Sequence, residues 1–247
     1  MLTTGGFLKH VFNRDPFSAQ QLPLGVNLRD DSTLESYYVG DNQQALTQLE
    51  QMAKGTGEQF VFLWGREGVG RSHLLQGACI QASKYQRTSF YLSLANATPH
   101  DLLKLEGLER VNLVCIDDVD AIAGNKEWEE ALFYLFNRLR AQQRNLLIAA
   151  NAPPKSLGIK LADLQSRLTW GITYQLHALD DEQLLAALQL RAKQRGLILS
   201  NEVGAFLIKR CVRSMPDLYV ALDTLDQASL VAQRRLTIPF VKEVLSL

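Results

Sequence analysis

The sequence predicts an α/β protein, with a parallel β-sheet flanked by helices and followed by an all-helical C-terminal subdomain. Three stretches carry that expectation. Phe60-Val61-Phe62-Leu63-Trp64 is a continuous apolar run that leads into Gly65-Arg66-Glu67-Gly68-Val69-Gly70-Arg71-Ser72, a glycine-rich turn ahead of a helical pattern. Val111-Asn112-Leu113-Val114-Cys115-Ile116-Asp117-Asp118 is a second near-continuous apolar run, and it ends in two carboxylates. That is how a fully buried parallel strand with acids at its C-terminal edge reads. From Leu179 onward the caps and apolar spacing are helical throughout.

With 247 residues, 47% of them hydrophobic, the chain can bury a full core as one large domain or two unequal ones. Lys plus Arg and Asp plus Glu stand at 26 each, so the overall basic excess that drives non-specific nucleic-acid binding is missing. Contact with DNA would need a local patch, and the cluster Lys209, Arg210 and Arg213 reads either as one or as a solvated helix face. Cys79, Cys115 and Cys211 are odd in number and set in apolar segments, which fits reduced core thiols. No apolar run approaches the ~20 residues of a membrane span and no signal-peptide layout opens the chain, so a cytoplasmic protein is expected.

Residues 1–30 read as a flexible tail with no clear period. Within it, Gln21, Leu22, Pro23 and Leu24 lie in a segment where apolar residues alternate on an extended backbone while Pro23 and Gly25 oppose regular structure. Such a segment either tucks onto the domain as a strand or offers its anchors to a partner groove. Asp41 is a suitable N-cap for a helix over 43–52. The strand at 60–64 then enters the glycine turn.

Gly65, Gly70 and Ser72 match the spacing G-x-x-x-x-G-K-[ST]. In that motif loop amides wrap phosphate oxygens, a helix N-terminus adds positive potential, and the hydroxyl faces Mg²⁺. Arg71 stands where the motif has Lys, which keeps the charge but replaces a compact ammonium with a planar fork. A helix over 71–84 and a strand over 88–92 follow. Parallel pairing of that strand with the one at 60–64 would complete a βαβ unit.

A short amphipathic helix is expected over 101–108. At the end of the next strand Asp117 can reach Mg²⁺ through its water shell, and Asp118 can orient an attacking water. A long helix spans 127–142, with Trp128, Leu132, Leu135, Phe136 and Leu139 on one face. The strand at 145–150 ends at Asn151, which reads as a turn residue or as an amide holding a water or phosphate oxygen. A helix over 161–168 and a strand over 171–174 close the sheet region. Four helices follow: Asp180-Asp181 caps 182–195, Asn201 caps 202–212, Pro216 opens 217–234 and Pro239 opens 240–247.

Together the phosphate loop, Leu113 to Asp118, Asn151, Ser166-Arg167-Leu168 and the helical lid resemble the AAA+ ATPase module. Trp64 to Leu75, Val114 to Asp118 and Leu236-Thr237-Ile238-Pro239-Phe240-Val241-Lys242 resemble most closely its replication-initiator branch, and there the small DnaA homologues that inactivate DnaA. The resemblance implies a tail over 1–30, a nucleotide-binding base over 31–178 and a lid over 179–247. It implies that Gly68, Val69, Gly70, Arg71 and Ser72 hold the diphosphate of ADP, with Gly65 and His73 completing the loop and Tyr38 and Val39 near the base. Ser72 and Asp117 would serve Mg²⁺, Asp118 and Asn151 would stand at the catalytic edge, and Arg167 would be a trans-acting arginine finger. Gln21-Leu22-Pro23-Leu24 resembles a peptide that binds the DNA polymerase III sliding clamp, its β subunit.

The implied partners are DnaA, the clamp and a second copy of the chain in a dimer. Two positions depart from the family pattern: Arg71 replaces Lys, and Pro216 stands where a sensor-two arginine is expected, with Arg213 one turn earlier as a substitute. Both point away from efficient hydrolysis. No basic helix-turn-helix follows the lid, so sequence-specific DNA binding is not expected. The competing readings are an autonomous ATPase or clamp-loader-like protein, which would turn over ATP alone, and a non-catalytic DNA-binding accessory.

Overall fold

Five strands form one parallel sheet in the order β2-β3-β4-β1-β5: β1 (Phe60–Trp64), β2 (Ser89–Ser93), β3 (Leu113–Asp117), β4 (Asn145–Ala150) and β5 (Ile172–Gln175). The coordinates are a computed structural model of the chain that describes residues 32–210 and 214–247. Strand β2 does not pair with β1 as expected; it lies at the far edge beside β3, while β1 sits between β4 and β5. Side-chain character explains the order. β3 and β4 are buried at every position, as their apolar runs require, whereas β2 begins and ends in serine and is only half-buried at three of its five positions.

The register aligns the strands' C-terminal ends. Trp64 pairs with Ala150, and Ile116 pairs with Ile148. Consequently the turn after β1, the acids ending β3 and Asn151 after β4 all emerge at one edge, where open α/β sheets place their ligands.

Side-chain alternation splits the core into two layers. Phe62, Ile116 and Ile148 face α3 (Lys126–Ala141), which contributes Trp128, Leu132, Leu135, Phe136 and Leu139. Val61, Leu63, Cys115, Leu147 and Ala149 face the opposite layer, formed by α1 (Gln43–Lys54) and α2 (Arg71–Lys84). Each fully buried Leu, Ile or Phe there stabilises the fold by ~1.5–3 kcal/mol relative to exposure. Cys79 and Cys115 are free and buried in the second layer; Cys211 lies outside the described residues.

Local structure differs from expectation at several points. Asp41 is exposed and does not cap α1; the N-cap position is Asn42, whose side chain makes no capping bond. Its amide donates to the Tyr37 hydroxyl at 3.0 Å and to the His177 carbonyl at 3.1 Å, and it accepts from the His177 N–H at 2.8 Å. Asn42 therefore ties the chain before α1 to the chain after β5. The helix expected over 101–108 is replaced by two 3₁₀ segments, Pro99–Leu105 and Leu108–Arg110. Gly107 between them has φ +75°, a left-handed conformation that an α-helix cannot pass through.

Helix α4 (Ala162–Leu168) precedes β5, and four helices of the described residues follow it: α5 (Asp181–Gln194), α6 (Asn201–Arg210), α7 (Met215–Ala232) and α8 (Ile238–Leu245). The four share a core of their own that includes Leu188, Leu207, Leu218, Leu222, Leu225 and Phe240. Asp180 and Gln183 form a capping box on α5, while Ser214 and Thr237 cap α7 and α8. Asn201 is the first residue of α6 rather than its cap, and the Ser200 hydroxyl accepts from the Val203 N–H at 3.3 Å instead. Among the described residues no helix is long and apolar enough to cross a membrane.

Candidate nucleotide-binding site

The turn between β1 and α2 is shaped by two left-handed glycines, Gly68 at φ +83° and Gly70 at φ +92°. At Gly70 a Cβ would stand 2.6 Å from Tyr37 Cε2, so a side chain there is blocked by the ring as well as by the backbone. The Tyr37 ring is held against this glycine by its hydroxyl, which donates to the Val69 carbonyl at 3.0 Å while accepting from Asn42. Burial pushes its pKa up to about 12, so it remains a neutral donor. Helix α2 begins at Arg71, directly after the turn, and its first N–H groups have no partner within the helix. The turn thus combines backbone donors with the positive end of a helix dipole.

A cleft of ≈ 790 Å³ opens over the turn, inside the ~300–1,000 Å³ range of ligand pockets. Gly68, Val69, Gly70, Arg71, Ser72, Tyr38, Asp118 and Asn151 line it from the sheet side, and Arg191, Met215, Pro216 and Tyr219 line it from the helical side. A Cβ on Gly68 would meet Pro216 Cδ at 3.8 Å, so the start of α7 closes over the turn. Pro216 itself has neither a charge nor an N–H to offer a phosphate.

Charge at the sheet edge is arranged around Arg71. Its guanidinium lies 3.6 Å from Asp118 Oδ1 and 3.9 Å from Asp120 Oδ1. Asp118 adopts φ +55° and accepts from the Ser93 hydroxyl at 2.8 Å, and Asp120 accepts from the Asn151 N–H at 2.9 Å. Asp117 is fully buried and accepts from the Tyr91 hydroxyl at 3.0 Å and from the Asp118 N–H at 3.0 Å. Burial, with the neighbouring Asp118 charge second, raises its pKa.

Gly65 is behind the turn, where a Cβ would meet the Leu176 carbonyl at 2.9 Å, and Val39 packs against the core. His73 borders the cleft, but its Nε2 is 2.8 Å from the Thr33 carbonyl and 3.1 Å from Ser36 Oγ. Arg213 and Gln21, Leu22, Pro23 and Leu24 lie outside the described residues. Arg167 is near the end of α4 and does not line the cleft. Its guanidinium lies 5.0 Å from the centre of the Trp170 ring, which Arg140 approaches at 3.8 Å, and among the described residues it forms no ion pair with Asp163 or any other carboxylate. Asp120, Tyr37 and Arg191 were not foreseen. Tyr37 adjoins the expected Tyr38, but no local pattern marks Asp120 or Arg191.

Burial holds the His73 pKa below the ordinary imidazole value. The folded chain therefore binds fewer protons at His73 than the unfolded chain does near that value, and stability falls as pH drops through ~6.5. His73→Gln should flatten this part of the profile, measured as the melting midpoint between about pH 7.5 and 5.5; parallel profiles for the two proteins would count against it.

The bacterial DnaA ATPase domain family matches residues 28–175, and the Hda lid domain family matches residues 180–245. An uncharacterised protein of Haemophilus influenzae is 47% identical over 229 residues, 92% of this chain and 99% of that protein. Among solved structures, domain III of the Thermotoga maritima replication initiation protein DnaA aligns with a TM-score of 0.76 at 21% identity, covering 90% of this chain and 98% of that one. AMPPCP-bound DnaA from Aquifex aeolicus aligns with a TM-score of 0.69 at 25% identity, covering 80% of this chain and 66% of that one. The parallel sheet, the phosphate-loop edge and the helical region over the cleft are thus those of an AAA+ protein, and the chain belongs to the bacterial DnaA ATPase family, in the branch that carries an Hda-type lid.

Proposed function

We propose that the protein regulates replication initiation by promoting hydrolysis of ATP held by DnaA, and so inactivates the initiator. In this reading it keeps ADP in its own cleft, docks on the DNA-loaded sliding clamp through Gln21, Leu22, Pro23 and Leu24, and presents Arg167 to the nucleotide of a neighbouring DnaA molecule. The contrast between two arginines carries the reading. Arg71, inside the cleft, is paired with Asp118, the acid that would orient an attacking water in an autonomous ATPase, and with Asp120. Arg167, outside it, has the Trp170 ring for a neighbour and, among the described residues, no carboxylate. The first arrangement favours occupancy over turnover, and the second leaves a cation available to a phosphate on another molecule.

ADP would sit with its phosphates on the turn at 68–72 and its base toward Tyr38 and the lid. Loop amides and the start of α2 supply most of the attraction for the anion, so retention does not depend on a lysine. The AMPPCP-bound Aquifex relative is consistent with a nucleotide at this place in the fold. The test is hydrolysis of DnaA-bound labelled ATP with the purified protein, with and without clamp loaded on DNA. Hydrolysis that requires both protein and loaded clamp is expected; equal rates without the clamp, or ATP turnover by the protein alone at the same rate, would count against the reading.

Gln21→Ala or Leu22→Ala should abolish clamp binding while leaving the melting temperature nearly unchanged, because a peptide that serves a partner adds little to the core. If thermal stability fell together with binding, the tucked-strand reading of this segment would be correct instead.

A further inference from the structure

The Mg²⁺ that a phosphate loop of this kind ordinarily carries does not fit this chain, and we infer that Arg71 stands in for it, so that the cleft binds a nucleoside diphosphate without a divalent cation. This deepens the nucleotide reading above and rests on it. The donor set argues against the metal. Asp117 has no exposed surface and is absent from the cleft wall, and its carboxylate is already engaged by the Tyr91 hydroxyl and by the Asp118 N–H. Mg²⁺ demands near-octahedral oxygen ligands and retains several waters, and the two carboxylates that do reach the cleft, Asp118 and Asp120, already face the Arg71 guanidinium.

The cleft has a fixed cation instead. Asp118 and Asp120 line it, and the Arg71 guanidinium spans both. At 3.6 and 3.9 Å these are ion pairs too long to be hydrogen bonds, and Arg71 Nη1, although buried, has no acceptor among the described residues. The fork therefore holds its position by charge and keeps donors in reserve. A β-phosphate on the turn would accept them in the bidentate geometry that guanidinium offers to phosphate. Carboxylates on one side and phosphate on the other is the bridging role a metal has in other phosphate loops. A lysine could not do this, because its ammonium is a single point of charge.

The experiment is calorimetric titration of the full chain, stripped of nucleotide, with ADP in Mg²⁺ buffer and in EDTA, repeated on Arg71→Lys. For the native chain the two affinities should agree within about twofold, and for Arg71→Lys chelation should cost about tenfold or more, since a lysine leaves the bridging role to the metal. A native chain that loses about tenfold on chelation overturns the inference while leaving nucleotide binding in place. An Arg71→Lys variant that stays indifferent to Mg²⁺ overturns the assignment to Arg71. Should that variant fail to fold, the native titration decides alone. No ADP binding in either buffer removes the nucleotide reading itself, and with it this inference.

Discussion

Arg167→Ala should reduce the stimulated hydrolysis of DnaA-bound ATP by about 10³-fold or more, because an arginine supplied in trans stabilises charge on the transferring phosphoryl group by ~10³–10⁵ in rate. The fold should tolerate the change. Arg167 is half-buried near the end of a seven-residue helix, and among the described residues it pairs with no carboxylate. Its contact with Trp170, at 5.0 Å, is one of two on a ring 40% exposed, and Arg140 at 3.8 Å remains when Arg167 is removed. A cation–π contact at an exposed site is worth ~0.5–1 kcal/mol, so the melting point should fall by no more than a few degrees. Clamp binding and ADP retention should persist, since neither the tail nor the cleft includes this side chain. Arg167→Lys separates charge from geometry: it keeps the cation but not the planar fork, and should recover little of the rate. Normal stimulation by Arg167→Ala would end the proposed mechanism.

What sequence could reveal was set by the range of the physics involved. The strands β1, β3 and β4 were legible because burial on both faces demands an unbroken apolar run, which is a local property. Their order was not. The pairing of β1 with β4 joins residues more than eighty positions apart, and the expectation that β2 would lie beside β1 followed chain proximity alone. The phosphate turn was legible because positive φ at Gly68 and Gly70 selects for glycine. Asp41 misled because an Asp just before a helix usually caps it, whereas the cap position falls on Asn42, whose amide is held by Tyr37 and His177 across the fold. The same limit hid the role of Arg71. A lysine-to-arginine change was visible, but the two aspartates that receive its fork are brought there by β3 and the turn behind it.

Glu129→Ala should be the most destabilising single change at a polar position, costing about 3–5 kcal/mol, because it removes the shared acceptor of several buried backbone donors. In sequence it is one more acid on the polar side of α3; in the fold it is 1% exposed. Its carboxylate accepts from the Gly124 N–H at 2.7 Å, from the Lys160 N–H at 3.0 Å to both oxygens and from the Leu161 N–H at 2.7 Å, and among the described residues it has no cationic partner. Its place in the first turn of α3 puts the charge at the positive end of that helix. Truncation would leave three backbone donors without a partner, each costing ~1–3 kcal/mol before relaxation. Leu161 is the N-cap residue of α4, so the same carboxylate sets where the helix carrying Arg167 begins. Chemical denaturation of Glu129→Ala should show a lower midpoint, with Glu129→Gln intermediate because its amide nitrogen would oppose an N–H. At a temperature where Glu129→Ala is still folded, stimulation of DnaA-bound ATP hydrolysis should fall while ADP binding is retained, because Glu129 does not touch the cleft. A loss below about 1 kcal/mol in the denaturation experiment would show that water can replace the carboxylate, and that α4 is held by its apolar contacts, Leu164 and Leu168, alone.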